Sequence, residues 1–170
     1  MSRRVGLARW LHHLWIGPMH LRSAFPDDAY ARIERAIADG ERRHRAELRF
    51  AVESSLETGQ LWRGMQARER ALEVFSRFGI WDTEEDNGVL VYLLWADRAA
   101  EIVADRGAKR SIDPAVWDRA CAQLVAGCRD GQAVEGALAC LATLNDALAA
   151  AYPADGSANP DELPNSPLVL

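Results

Sequence analysis

Residues 78–107 read FGIWDTEEDNGVLVYLLWADRAAEIVADRG, and the way this stretch divides decides the fold. VLVYLLWA at its centre is an unbroken apolar run of strand length, the pattern of a strand buried on both faces. Asp97 and Arg98 interrupt the run as a turn, and AEIVAD returns as another strand, which makes a hairpin. With Asp97 and Arg98 at the turn, antiparallel pairing places Gly107 opposite Gly88. Asp105 and Arg106 then come back to the edge that carries Asp82 to Asn87.

Upstream, RERALEVFSRFG sets Ala71, Val74, Phe75 and Phe78 on one helical stripe, with Gly79 as its stop. Before it, ELRFAVES alternates Leu48, Phe50 and Val52 with Glu47, Arg49 and Glu53, the period of a half-buried strand. A strand, a helix and a strand in this order form a right-handed crossover with parallel strands. Earlier still, Pro26-Asp27-Asp28 opens a helix carrying Tyr30, Ile33 and Ile37 that runs to about Arg43. Downstream of Asp113-Pro114, two more helices carry Trp117, Ala120, Leu124 and Cys128, then Val134, Leu138, Leu141, Leu144 and Leu148. The expected fold class is α/β: a small mixed sheet, parallel crossover plus antiparallel hairpin, sandwiched by helices.

Three segments are expected. Residues 1–24 form a basic amphipathic helix, residues 25–152 the domain, and residues 153–170 an extended Pro-rich tail. The first segment has four arginines and no acid, yet Arg9, His12, His13 and Gly17-Pro18 break its apolar stretch well short of a membrane span. Its Trp10, Leu11, Leu14 and Trp15 suit either packing on the domain or contact with an anionic membrane surface.

At 170 residues, 49% hydrophobic and 26% charged, the chain can bury one core. A net charge of −5 argues against a general nucleic-acid binder, which needs a concentrated basic face. Cys121, Cys128 and Cys140 have no C-x-x-C spacing and an odd count, so they read as small hydrophobes in a reducing, cytoplasmic compartment.

Asp82, Asp86 and Asp105, with Glu84, Glu85 and Asn87 beside them, supply the hard oxygen donors that calcium or magnesium prefers. The same residue types also make any solvated helix-to-strand connection, and the run lacks the ligand spacing and central glycine of an EF-hand. Glu47 should lie toward the same edge. The opposite edge, beyond the carboxyl ends of the parallel strands, gathers Glu53, Ser54, Ser55, Asp97 and Arg98, where open α/β sheets bind ligands. No histidine is placed as a base for those serines: His44 ends a helix, and His12, His13 and His20 suit surface or capping roles. A P-loop, a dinucleotide glycine pattern and H-E-x-x-H are all absent from the sequence.

The central stretch, preceded in order by FPDDAYARIERAI, ELRFAVE and RERALEVF, resembles the signature of the TPM domain family from about Phe25 to Tyr152. DELPNSPLVL looks like the tail of a short proteobacterial branch. The resemblance implies the TPM fold and a divalent-metal-binding module with phosphatase activity in some members. It marks Asp82, Asn87, Asp97 and Arg98, while Asp105 stands where many members have glycine. On this reading a cation would polarise a phosphoryl oxygen, with Arg106 offsetting phosphate charge. The alternative is a non-catalytic adaptor at the inner membrane whose partner is a LemA-like membrane protein, as the family's gene associations imply.

Overall fold

The computed structural model describes residues 6–156 and 162–170. It contains a four-stranded sheet of order β3-β2-β1-β4, with β1 Leu48–Glu53, β2 Val89–Leu94, β3 Ala99–Ala104 and β4 Leu168–Val169. β1 runs parallel to β2, with Leu48 opposite Val89, and β2 runs antiparallel to β3. The expected crossover and hairpin are therefore both present.

Period-two alternation sorts the sheet into two cores. Leu48, Phe50, Val52, Val89, Val91 and Leu93 meet the helices α3 Asp27–Glu41, α7 Pro114–Arg129 and α8 Ala133–Ala151 on one face. Ala51, Leu90, Tyr92 and Leu94 meet α5 Ala67–Arg77 on the other, through Ala67, Ala71 and Val74. Asp113 caps α7, its side chain accepting from Ala115 N at 2.8 Å ahead of Pro114. Among the described residues α8 alone is long and apolar enough to cross a membrane, but Ala137, Cys140, Leu141, Leu144 and Leu148 lie fully buried in the core. Two short helices, α4 Thr58–Trp62 and α6 Arg106–Ser111, complete the connections around the sheet.

β1 and the hairpin register differ from expectation. β1 is buried along its whole length rather than on one face: β4 pairs along its outer edge, Arg70 of α5 meets Glu53, and Leu163 meets Glu47. Within the tail, whose residues 157–161 lie outside the described residues, Leu168 pairs with Ala51, Val169 with Val52, and Leu170 N donates to Val52 O at 2.9 Å. The hairpin register also differs. Val89 faces Ala104 and Asp105 N donates to Gly88 O at 2.9 Å, so Asp105 rather than Gly107 lies opposite Gly88. The turn spans Trp95 to Arg98, with Arg98 at φ 47 closing it. A turn centred one residue earlier moves every pair by two positions.

The N-terminal segment is two helices, α1 Leu7–Trp15 and α2 Pro18–Ala24, broken where Gly17 precedes Pro18. The three cysteines are free. Burial pushes the Cys121 and Cys128 thiols up to about 11 and Cys140 higher still, which disfavours the thiolate form.

Candidate functional site

The acidic run forms the loop that enters β2, and backbone bonds fix it. Asp86, at φ 51, turns its carbonyl to accept from Gly107 N at 2.9 Å and Ala108 N at 3.2 Å. A Cβ on Gly107 would sit 2.6 Å from Asp86 O, so the close approach of the two segments requires glycine there. The return of β3 thus brings Asp105 and Arg106 to Asp86, despite the changed register. Asn87 is buried: its N donates to Thr83 Oγ1 at 3.1 Å and its Nδ2 to Arg45 O at 2.9 Å. Its Oδ1 is enclosed with no hydrogen-bond partner among the described residues.

The carboxylates around it are differently placed. Asp82, Glu84, Glu85 and Asp86 are exposed. Glu85 pairs with Arg45 at 2.9 Å, and Asp105 Oδ1 accepts from Arg106 N at 2.6 Å, capping α6. Arg106 is itself exposed. Glu47 is buried at this end of β1, where its Oε2 accepts from Leu163 N at 3.0 Å. Among the described residues, no three histidine, cysteine, aspartate or glutamate side chains are grouped as a bound metal would require.

At the opposite edge the candidate residues do other work. Glu53 is buried and turned toward α5, where Arg70 Nε and Nη2 donate to its two oxygens at 2.8 and 3.1 Å. Tyr92 OH donates to the same carboxylate at 2.6 Å. Burial and the neighbouring Glu53 charge push the Tyr92 phenol well above its ordinary range. Ser54 lies at the end of β1, where its carbonyl accepts from Ala96 N at 3.0 Å.

Asp97 receives the N-terminal helix. Arg9 donates to it from Nε at 3.1 Å and from Nη2 at 2.7 Å, and His13 Nε2 donates at 2.8 Å. The tautomer follows from the other ring nitrogen. Leu56 N–H, which can only donate, reaches His13 Nδ1 at 3.1 Å, so the proton resides on Nε2. Burial alone would raise Asp97, but the His13 and Arg9 hydrogen bonds outweigh it and hold the carboxyl well below the usual carboxylate range. Contrary to the surface or capping role expected for it, His13 is 3% exposed. Nothing local marks it: the signal lies in Asp97, 84 residues away in sequence. Beside this anchor, His12, Ile16, Trp95, Ala96 and Arg98 line an open cavity of about 660 Å³.

These features define a class: a mixed α/β domain with an acidic loop at one end of its parallel strands and a helix pinned over the other. Residues 21–147 match the TPM domain, well over half of the chain, and the protein belongs to the TPM domain family. It is also similar to a solved structure, the NMR structure of BA42 protein from the psychrophilic bacteria Bizionia argentinensis sp. nov.. The two share 25% sequence identity and a TM-score of 0.74 over 84% of this chain and 93% of that one. No curated protein sequence matches the chain.

Proposed function

We propose that this TPM domain binds a divalent cation, calcium or magnesium, at its acidic loop. The observation that supports this best is Asn87 Oδ1, a buried carbonyl oxygen without a partner among the described residues. Leaving such an acceptor unpaired costs ~1–3 kcal/mol, which a ligand at the loop would recover. Asp82, Asp86 and Asp105 are the anionic ligands of this reading, with Glu84 and Glu85 as helpers. Asp82, Glu84, Glu85 and Asp86 are exposed, Asp105 is half-buried, and the set is not yet gathered, so binding must bring these carboxylates together and affinity belongs to the weak range of about 10⁻⁴–10⁻³ M. A bound cation there would polarise a phosphoryl oxygen, and Arg106 would offset phosphate charge, which is the requirement of metal-assisted phosphomonoester hydrolysis.

Calorimetric titration of calcium and of magnesium into the full chain tests the cation site, beside Asp82→Ala and Asp105→Ala. Saturable heat in the native protein, lost in both variants, is the expected result. Absence of heat and of thermal stabilisation at millimolar metal would overturn it. The hydrolytic step is tested separately by p-nitrophenyl phosphate turnover. Release that is unchanged by chelation, or that survives Asp82→Ala, removes the phosphatase reading while leaving any cation binding intact.

A further inference from the structure

α1 is an amphipathic helix attached by its polar side. At 100° per residue, Leu7, Leu11, Leu14 and Trp15 share one stripe, and Arg9 and His13 lie across the helix from it. An ordinary surface helix would turn the apolar stripe to the core. Here Arg9 and His13 face inward and grip Asp97, Trp10 touches the core from the stripe's margin, and the stripe itself faces outward. Leu7 is 73% exposed, Leu11 55%, Leu14 56% and Trp15 73%, and Met19 of α2 adds another apolar side chain at 82%. Among the described residues the other exposed large hydrophobics, Trp62, Leu72, Trp81 and Val169, are scattered along the sequence, whereas these five fall within residues 7–19. Isolated ones need no explanation; a continuous stripe marks an interface.

We infer that α1 lies on an anionic lipid surface, with its outward stripe in the boundary between headgroups and acyl chains. Charge selects this occupant. Residues 1–25 carry four arginines and no acid, although the whole chain stands at −5; Arg9 is spent on Asp97, which leaves Arg3, Arg4 and Arg22 for an outside anion. Arg22 of α2 is exposed, as a cation that meets lipid phosphates must be, and the rings of His12 and His20 are exposed as further hydrogen-bonding groups. Shape agrees, since a stripe spanning about 100° on a single outward helix suits shallow insertion into a flat boundary, and Trp15 suits its interface. The Asp97 anchor then orients the whole domain. Asp97 lies beyond the end of β2 and the acidic loop before its start, so the loop faces away from the bilayer into water. The inference is independent of whether that loop binds a cation.

Co-sedimentation of the full chain with vesicles tests it, using phosphatidylcholine alone and phosphatidylcholine with phosphatidylglycerol. Binding to the anionic vesicles, abolished by molar salt and weakened at least ~tenfold in Leu11→Ser/Leu14→Ser, is expected. Both positions are exposed, so an unchanged melting temperature will show that the variant is folded. Failure to favour anionic vesicles, or equal binding by the double variant, overturns the inference. So does light scattering that shows a dimer dissolved by the same variant, which assigns the stripe to a second copy. Binding to native membranes that protease treatment abolishes, with no binding to pure lipid, likewise overturns it and points to a membrane-protein partner such as a LemA-like protein.

Discussion

Glu53 shows how one residue changes meaning between sequence and structure. In the sequence it ends a strand beside Ser54 and reads as a candidate ligand at the carboxyl edge. In the structure Arg70 and Tyr92 satisfy its oxygens inside the second core, and Arg70 also reaches Glu73 at 3.2 Å. Glu53→Ala leaves a guanidinium with little access to water and no equivalent partner, and breaking such a pair costs roughly 3–5 kcal/mol. Urea unfolding should show that loss. A cost below ~1 kcal/mol, the range of exposed pairs, would mean that water already satisfies Arg70. Tyr92→Phe removes one hydrogen bond while leaving the ion pair, and should cost about 1–3 kcal/mol, because the acceptor is charged.

Elements differ in how far they could be read from sequence. α3, α5, α7 and α8 carry a helical period of their own, β1 an alternation, and β2 an apolar run of strand length followed by a turn and β3, so each is legible locally. β4 pairs through only two residues, Leu168 and Val169, after a stretch rich in proline, and so short a strand leaves no periodicity to detect. Its place is set by the uncovered edge of β1, a tertiary fact. The hairpin register was missed because Asp97 and Arg98 are the obvious turn residues, whereas the turn also takes in the apolar Trp95 and Ala96. The acidic loop was legible as a cluster, but Asn87 Oδ1 stood out only once Thr83, Arg45 and the burial of the loop were in view. For α1 the amphipathic pattern was plain and the direction it faces was not, since direction depends on Asp97. Asp97→Ala should therefore release α1 without unfolding the sheet, at a local cost of ~1–3 kcal/mol for partly exposed charged bonds. Hydrogen exchange read by peptide should show faster exchange across residues 7–15 and unchanged protection in β1 and β2. Slow exchange in α1 would show that Trp10 and its neighbours, not the anchor, hold the helix.

The whole molecule closes around His44, which joins the end of α3 to the end of α8. It is fully buried, bridged to Pro153 through the backbone, and its ring faces two acceptors: Ala46 O at 3.0 Å and Asn145 Oδ1 at 3.1 Å. Asn145 is oriented by donating its own amide to Ala36 O at 3.0 Å, so its oxygen is the atom turned to the ring. A neutral imidazole satisfies one acceptor and an imidazolium both, but burial opposes the charge more strongly than these bonds favour it, and nearby Arg43 adds repulsion. The His44 pKa is accordingly lowered from its ordinary 6.5. The unfolded chain takes up a proton near 6.5 while the folded chain resists it, so the unfolded state binds more protons and stability rises with pH. The contribution is complete above 6.5, falls as pH drops through that value, and levels off once pH passes the lowered folded value. Urea melts across this range, compared with His44→Gln, isolate the effect: the native protein should lose stability relative to the variant as pH falls. The opposite slope would mean that the two acceptors hold His44 protonated in the fold, and that the junction between the first and last thirds of the chain is built around a buried cation.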